Sequence, residues 1–344
     1  MNKVLSIIIP SCNMEKYLSQ CLDSLLVPNI DDVEILVIND GSKDRTSEIA
    51  HGYEKQYPKS IRVIDKPNGH YGSCINRGLK EATGKYVKVL DADDSFDTKV
   101  FEKFIEFLKN IETDIIFSNY CIVNESGTIT STKNFPIIKR DDSKPMSFKK
   151  ALRLFLDSNM AMHGITYRTN LLKGINYHQT EGVAYTDQEW IFEPALNVRT
   201  VEQFPEVLYR YLVGRIGQSI DNSVVTKSIS LQMRHCSKRL DDYERLSSNL
   251  TEEQNQFAFA RLKFTMISNF NRIIFGKSSK DQTIFMLSLD KKLESIYPEL
   301  YLSLNQEKIQ PFIPFHYIKY WRKKIKDGKS LILINLIKFL IKLR

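Results

Sequence analysis

A chain of 344 residues, 42% of them hydrophobic, can bury a large core, and its length suits two domains or one domain with an extension. The formal net charge is +8, yet residues 319–344 hold nine basic side chains and one acid, so the preceding 318 residues are neutral. With no nucleic-acid recognition signature beside that charge, nucleic acid is excluded as a partner. Cys12, Cys21, Cys74, Cys121 and Cys236 show no metal-ligand spacing, and Met1-Asn2-Lys3 leads into a strand rather than a signal peptide. Reduced thiols in a cytoplasmic protein are expected.

In chain order, Leu5 to Ile9 is an apolar run broken by Pro10-Ser11-Cys12-Asn13, which predicts a buried strand over 5–9. Tyr17, Leu18, Cys21, Leu22 and Leu25 fall at helical spacing and predict a helix over 15–26. The arrangement repeats with a strand over 33–38, the turn Asn39-Asp40-Gly41-Ser42 and a helix over 44–57 that Asp44 and Thr46 open. Strands over 61–65, 86–90 and 114–118 then alternate with helices over 72–82 and 98–110. The fourth strand ends abruptly in Asp91-Ala92-Asp93-Asp94, and Asp94, Ser95 and Asp97 are all candidates to cap the helix that follows. This alternation implies an α/β fold with a doubly wound, mostly parallel sheet whose ligands lie at the carboxyl ends of its strands.

Past Asn119 the pattern loosens. Glu125-Ser126-Gly127-Thr128 reads as a hairpin turn, and Lys139 to Pro145 as a solvated loop or lid. Helices are expected over 147–158 and 187–197, a strand from Val207 to Val213, and a helical region from Val224 to Pro298. The division expected is a first domain over 1–220, a helical extension over 221–318 and a basic tail over 319–344.

Several of these segments, "SIIIPSCN", "ILVINDGSKDRT", "NGHYGSCINRGLKEATGKYVKVLDADD" and "YTDQEW", stand in the order used by the family 2 inverting glycosyltransferases. Several short motifs in order are far more specific than one. The chain is therefore identified as resembling that family, with its GT-A fold. It departs from the pattern at Cys74-Ile75-Asn76, where the family often has Ala-Arg-Asn, and at Asn39, where it more often has Asp. An arginine contact to the diphosphate is thus not carried over to 74–76.

The resemblance implies transfer of a sugar from a nucleoside diphosphate sugar to a glycan or lipid-linked hydroxyl acceptor, with Mn²⁺ or Mg²⁺ as cofactor. Asp40 would accept from the pyrimidine imide or ribose; Pro10, Ser11 and Asn13 would line the base pocket. Asp91 would hold ribose or sugar hydroxyls, Ala92 would line the same site, and Asp93, with Asp91, would bind the metal. Asn68, Gly69 and Gly72 would let the backbone approach the nucleotide, although a glycine pair before a helix is often simply a turn. On its own residues Asp187 reads first as the cap of a helix starting there; the resemblance instead makes it the family's general base, and a helix start can serve both roles. Arg215 could reach the diphosphate, with a surface arginine as the alternative. His70 and His163, and the aromatics Tyr177, Tyr185, Trp190 and Tyr211, are expected to be ordinary polar or core residues.

The tail pairs a basic stretch from Trp321 to Lys329 with an apolar one from Leu331 to Arg344, too short to span a bilayer. It suits a helix lying on an anionic membrane surface at the inner face, with Trp321 at headgroup level; packing on a partner or a second protomer of a homo-oligomer is the alternative. Two other function classes remain. A nucleotidyltransferase would want a glycine-rich, Arg-containing loop after the first strand, and a non-catalytic membrane-recruited module would do without Asp93 or Asp187. A dinucleotide dehydrogenase is disfavoured because no Gly-x-Gly-x-x-Gly follows the first strand.

Overall fold

The computed structural model describes residues 3–137, 145–157, 160–183, 186–215, 229–276, 278–310 and 313–326. It divides into two compact units, Met1–Ser219 and Ile220–Arg344.

The first unit is built on a ten-stranded sheet. Strands β1 (Leu5–Ser11), β2 (Val33–Asp40), β3 (Ile61–Lys66) and β4 (Tyr86–Val89) pair in parallel in the order β3-β2-β1-β4. The runs of β1 and β2 are apolar because both faces are covered: Ile7, Ile8, Ile9, Leu36, Val37 and Ile38 are fully buried, as are Val87 and Val89 of β4. The sheet then continues through β9 (Ile165–Arg168), β6 (Ile115–Val123) and β10 (Thr200–Leu212). Strand β9 runs antiparallel between β4 and β6, so β6 and β10 recover the direction of β4. Short strands β5 (Ser95–Phe96), β7 (Ile129–Lys133) and β8 (Met146–Ser147) add antiparallel pairs at the margin. With Thr166 and Arg168 among its four residues, β9 makes neither an apolar run nor a full stretch of alternation, which is why it is not legible in the sequence.

Helices α1 (Leu18–Asp23), α2 (Thr46–Gln56), α3 (His70–Glu81) and α4 (Thr98–Lys109) fill the expected connections. Of the three capping candidates before α4, Asp97 does the work, accepting from Val100 N at 3.2 Å. Phe101, Phe104, Ile105 and Leu108 then form its buried stripe. The hairpin at Glu125–Thr128 joins β6 to β7, with Gly127 at φ +78°. Helices α5 (Phe148–Leu156), α6 (Thr169–Gly174) and α7 (Asp187–Ala195) complete the unit. Most of the loop from Lys139 to Pro145, and Tyr185, lie outside the described residues.

The second unit contains α8 (Ile229–Leu246), α9 (Glu252–Phe275), α10 (Lys280–Ile296), α11 (Pro298–Leu304), a small hairpin of β11 (Lys308–Gln310) and β12 (Ile313–His316), and α12 (Tyr317–Lys326). Thr251 with Gln254 and Ser279 with Gln282 form capping boxes that fix the starts of α9 and α10.

Here the expected tail needs correcting. Trp321 is 1% exposed and packs edge-on against Phe270, with ring centroids 5.4 Å apart, so it cannot sit among lipid headgroups. Its neighbour Arg322 is buried too: Nε and Nη2 donate to the two oxygens of Asp290 at 2.9 and 2.5 Å, and Nη1 donates to Tyr301 O and Asn305 Oδ1. The guanidinium also lies 3.7 Å from the centroid of the Tyr301 ring. Residues 319–326 thus belong to a packed helix, and the remainder of the tail lies outside the described residues. Among the described residues no helix is long and apolar enough to cross a membrane.

Removing one partner of such a pair leaves the other charge buried and uncompensated. Arg322→Met should therefore lower unfolding free energy by about 3 kcal/mol or more, read by chemical denaturation. Arg322→Met combined with Asp290→Leu should recover much of the loss; an equal loss in the double variant would mean that the pair itself is unimportant.

Candidate active site

The chain leaves β1 for β2 and β3 on one side and then returns to β4 on the other, so the connections reverse direction between β1 and β4. A crevice outside the carboxyl ends of two such strands is where open α/β sheets bind ligands. A cleft of about 280 Å³ opens there, and its wall includes Pro10, Ser11, Asp40, Asn68, Asp91, Ala92, Asp93 and Arg215. Pairing between β1 and β4 ends at Ile8 and Val89, so Pro10, which has no N–H to offer, costs the β4 side no hydrogen bond.

Asp40 ends β2 and is 3% exposed. Its Oδ1 accepts from Lys66 Nζ at 2.5 Å and from Gly69 N at 2.9 Å, while its carbonyl accepts from Asn68 Nδ2 at 2.9 Å. Lys66 is itself placed by Ser73 Oγ, 2.8 Å away. Both of these bonds fall on Oδ1 of Asp40, so the carboxylate keeps acceptor capacity for a ligand.

Beyond β4 the acidic run splits into three environments. Asp91 Oδ1 accepts from the Tyr71 hydroxyl at 2.7 Å, and burial together with the charges of Asp93 and Asp187 pushes its carboxyl up to about 7. Asp93 Oδ2 is held by Arg215 Nε at 2.5 Å. Asp94 turns inward: Oδ2 accepts from the Tyr209 hydroxyl at 2.6 Å and Oδ1 from Leu212 N at 2.7 Å. Burial, with Asp93 and Asp91 nearby, raises Asp94 well above the usual carboxylate range.

The remaining expected residues sit elsewhere. Asn13, at φ +55°, faces the turn after β2: its N donates to Ser42 Oγ and its Oδ1 accepts from Lys43 N, so it ties two loops together rather than lining the cleft. Gly69 lies against Asp40 through its N–H. Gly72 admits another part of the chain rather than opening to the cleft, since a Cβ there would lie 2.1 Å from Thr180 O. Asp187 is the first residue of α7, its Oδ2 accepts from Gln188 Nε2 at 3.2 Å, and Thr186 before it makes no capping bond. The capping reading of Asp187 therefore fails by one position. Asp187 is not in the cleft wall, yet its charge raises both Asp91 and Tyr71, which places it beside the same acidic cluster.

Cys12, Met14, His70, Tyr71, Cys74 and Tyr211 also line the cleft. Tyr71 is the residue that sequence reasoning missed. The helix expected from 72 starts at His70, and one further turn of phase would have put Tyr71 on the face of Cys74. His163 is buried, with its ring 4.7 and 4.3 Å from those of Tyr209 and Tyr211, and burial plus the charge of Lys88 lowers it to about 3. Tyr177 and Trp190 are core residues, as expected.

A hard divalent cation suits the donors here. Asp91, Asp94 and His163 bring one ligand atom each within 4.8 Å of one another, and the destabilised carboxylates favour added positive charge. Asp93, expected as the main ligand, lies outside that trio.

The fold is of the GT-A type. The chain belongs to glycosyl transferase family 2, whose sequence model matches residues 6–178. It is similar to the glycosyltransferase YibD of Escherichia coli, 28% identical over 72% of each chain, and to EpsJ of Bacillus subtilis, 39% identical over 34% of this chain. The EpsJ match spans a third of that relative's length. Residues 1–349 of Staphylococcus aureus TarS, solved in complex with UDP-GlcNAc, share the fold with a TM-score of 0.65 at 18% identity, over 95% of this chain and 93% of that one.

Proposed function

We propose that the protein transfers a sugar from a UDP-sugar to an acceptor hydroxyl with inversion at C1, assisted by Mn²⁺ or Mg²⁺, in cell-surface polysaccharide or lipid-linked glycan assembly. The observation that carries this reading is the meeting of Asp40, Asp91 and Asp93 in one cleft at the β1/β4 switch, with Asp187 beside it. Similarity to TarS, which binds UDP-GlcNAc, supports a uridine donor. Similarity to the Pasteurella multocida chondroitin and hyaluronan synthases, each 31% identical over 44% of this chain and 16% of theirs, supports polysaccharide as the product class.

In this reading Asp40 accepts from the base, and Asn68 beside it borders the nucleotide. Asp91, oriented by the Tyr71 hydroxyl, takes donor hydroxyls. Asp187 accepts the acceptor's proton as the acceptor oxygen bonds to C1 and the bond from C1 to the diphosphate oxygen breaks, giving one displacement and an inverted anomer. Arg215 reaches the departing diphosphate. The cation, held by Asp91 and Asp93, would offset charge on that diphosphate. Residues 327–344, apolar with flanking lysines, would rest on an anionic membrane at the inner face.

Asp187→Asn keeps size but cannot take a proton. Transfer should fall by about 10²-fold or more at nearly unchanged UDP affinity. Full turnover in the folded variant would move the base elsewhere, and a product of retained configuration would reject single displacement. A non-catalytic module would show no transfer in the wild type.

UDP with Mn²⁺ should raise the melting temperature more than UDP with a chelator, and Asp93→Ala should abolish the difference. Equal stabilisation with and without chelator would remove the metal from the mechanism.

Deletion of 327–344, which spares Trp321 and Arg322, should leave a folded enzyme that no longer binds anionic vesicles. High salt should weaken vesicle binding by the full chain only in part, because lysine attraction is screened and apolar burial is not. Indifference of the full chain to vesicles would end the membrane assignment.

A further inference from the structure

Among the described residues lining the cleft, Arg215 alone carries a permanent positive charge. It lies just beyond the end of β10, after Gly214 at φ +109°, a backbone setting that glycine adopts readily and other residues rarely do. Its Nε binds Asp93 Oδ2 at 2.5 Å, the two side chains are 16% and 11% exposed, and its guanidinium stands 5.5 Å from the centroid of the Tyr17 ring. This is a sheltered, charge-assisted contact rather than a loose surface pair. It is made to the carboxylate that the proposed function gives to the metal.

A divalent cation at Asp93 would meet a sheltered carboxylate whose charge the guanidinium already offsets at Oδ2, so the two positive charges repel across one acid. We propose that Arg215 is a competitor of the metal for Asp93, and that the donor's diphosphate relieves the competition by offering the guanidinium a second anionic partner. Metal and nucleotide then bind cooperatively through Arg215, beyond any direct bond between them. The inference rests on the proposed nucleotide and metal site and adds a rule for how that site is loaded. It also gives a single substitution effects of opposite sign on two ligands. Loss of the guanidinium frees Asp93 for the metal and removes a diphosphate contact from the nucleotide.

The test uses the full chain and its Arg215→Gln and Arg215→Lys variants, with melting temperatures measured to establish folding. Mn²⁺ binding is read by calorimetry or by the loss of the free-ion resonance signal, with and without UDP; UDP binding is read with chelator present. Arg215→Gln should bind Mn²⁺ alone about tenfold more tightly than wild type and UDP more weakly, so that UDP enhances Mn²⁺ affinity less. Arg215→Lys, which keeps the charge, should stay closer to wild type on both counts. Unchanged or weaker Mn²⁺ binding by Arg215→Gln, while UDP still promotes Mn²⁺ binding in wild type, overturns the competition and leaves the proposed site standing. Absence of Mn²⁺ binding from every protein even with UDP present removes the metal reading and the competition with it.

Discussion

The first unit depends on how it tolerates three carboxylates, Asp91, Asp93 and Asp94, close together at one sheet edge, with the charge of Asp187 acting on Asp91 from α7. Like charges at short range in a partly buried cleft repel strongly, and burial makes each ionised form costlier still. Each member is therefore treated differently. Asp94 is drawn inward and bonded at both oxygens by β10, through Tyr209 and Leu212. Asp91 is held by Tyr71 from the start of α3, and Asp93 is offset by Arg215 from beyond β10. Asp187 stands apart at the start of α7. Strand β10 is thus more than an extra strand: the residues at its end tame the acidic run that β4 delivers.

The groups beneath the cluster do not supply the missing positive charge. Lys88, fully buried on β4, donates to the carbonyls of His163 and Ile165, and burial lowers it to about 7. His163, with its charge state depressed further by Lys88, remains a neutral imidazole near neutral pH. The layer under the acids is therefore only partly charged, and compensation has to come from the cleft side. That places Arg215 and an incoming cation in the same role.

Much of this was legible in the sequence, for identifiable reasons. Strands β1 and β2 announce themselves as apolar runs because they are buried on both faces, β4 as a β-rich run around the buried Lys88, and each stops at the polar residues that become the cleft wall. Alternation of strand and helix then suffices to place Pro10, Asp40 and Asp91 at one edge. What the sequence withholds is long-range. The contacts of Asp94 with Tyr209 and Leu212 join residues more than a hundred positions apart, as does the pair of Asp93 with Arg215. No local pattern encodes such partners, so Asp94 reads as a cap for α4 when Asp97 makes that bond. Gly72 misleads in the same way, because the backbone it admits is Thr180 of a distant loop.

The tail shows the limit of composition as a guide. Nine basic residues beside an apolar stretch look like one functional segment, yet Trp321 and Arg322 fall on the inner face of α12 and are buried with Phe270 and Asp290. An arginine counted as surface charge is in fact neutralised by an aspartate thirty-two residues earlier, and a tryptophan that would suit a membrane interface is core. Helical phase separates the two cases: Ile318, Trp321 and Arg322 share one side of the turn, as positions i, i+3 and i+4 must. Lys319 and Lys323 lie on the exposed side, so charge available for an anionic surface begins with them rather than with Arg322.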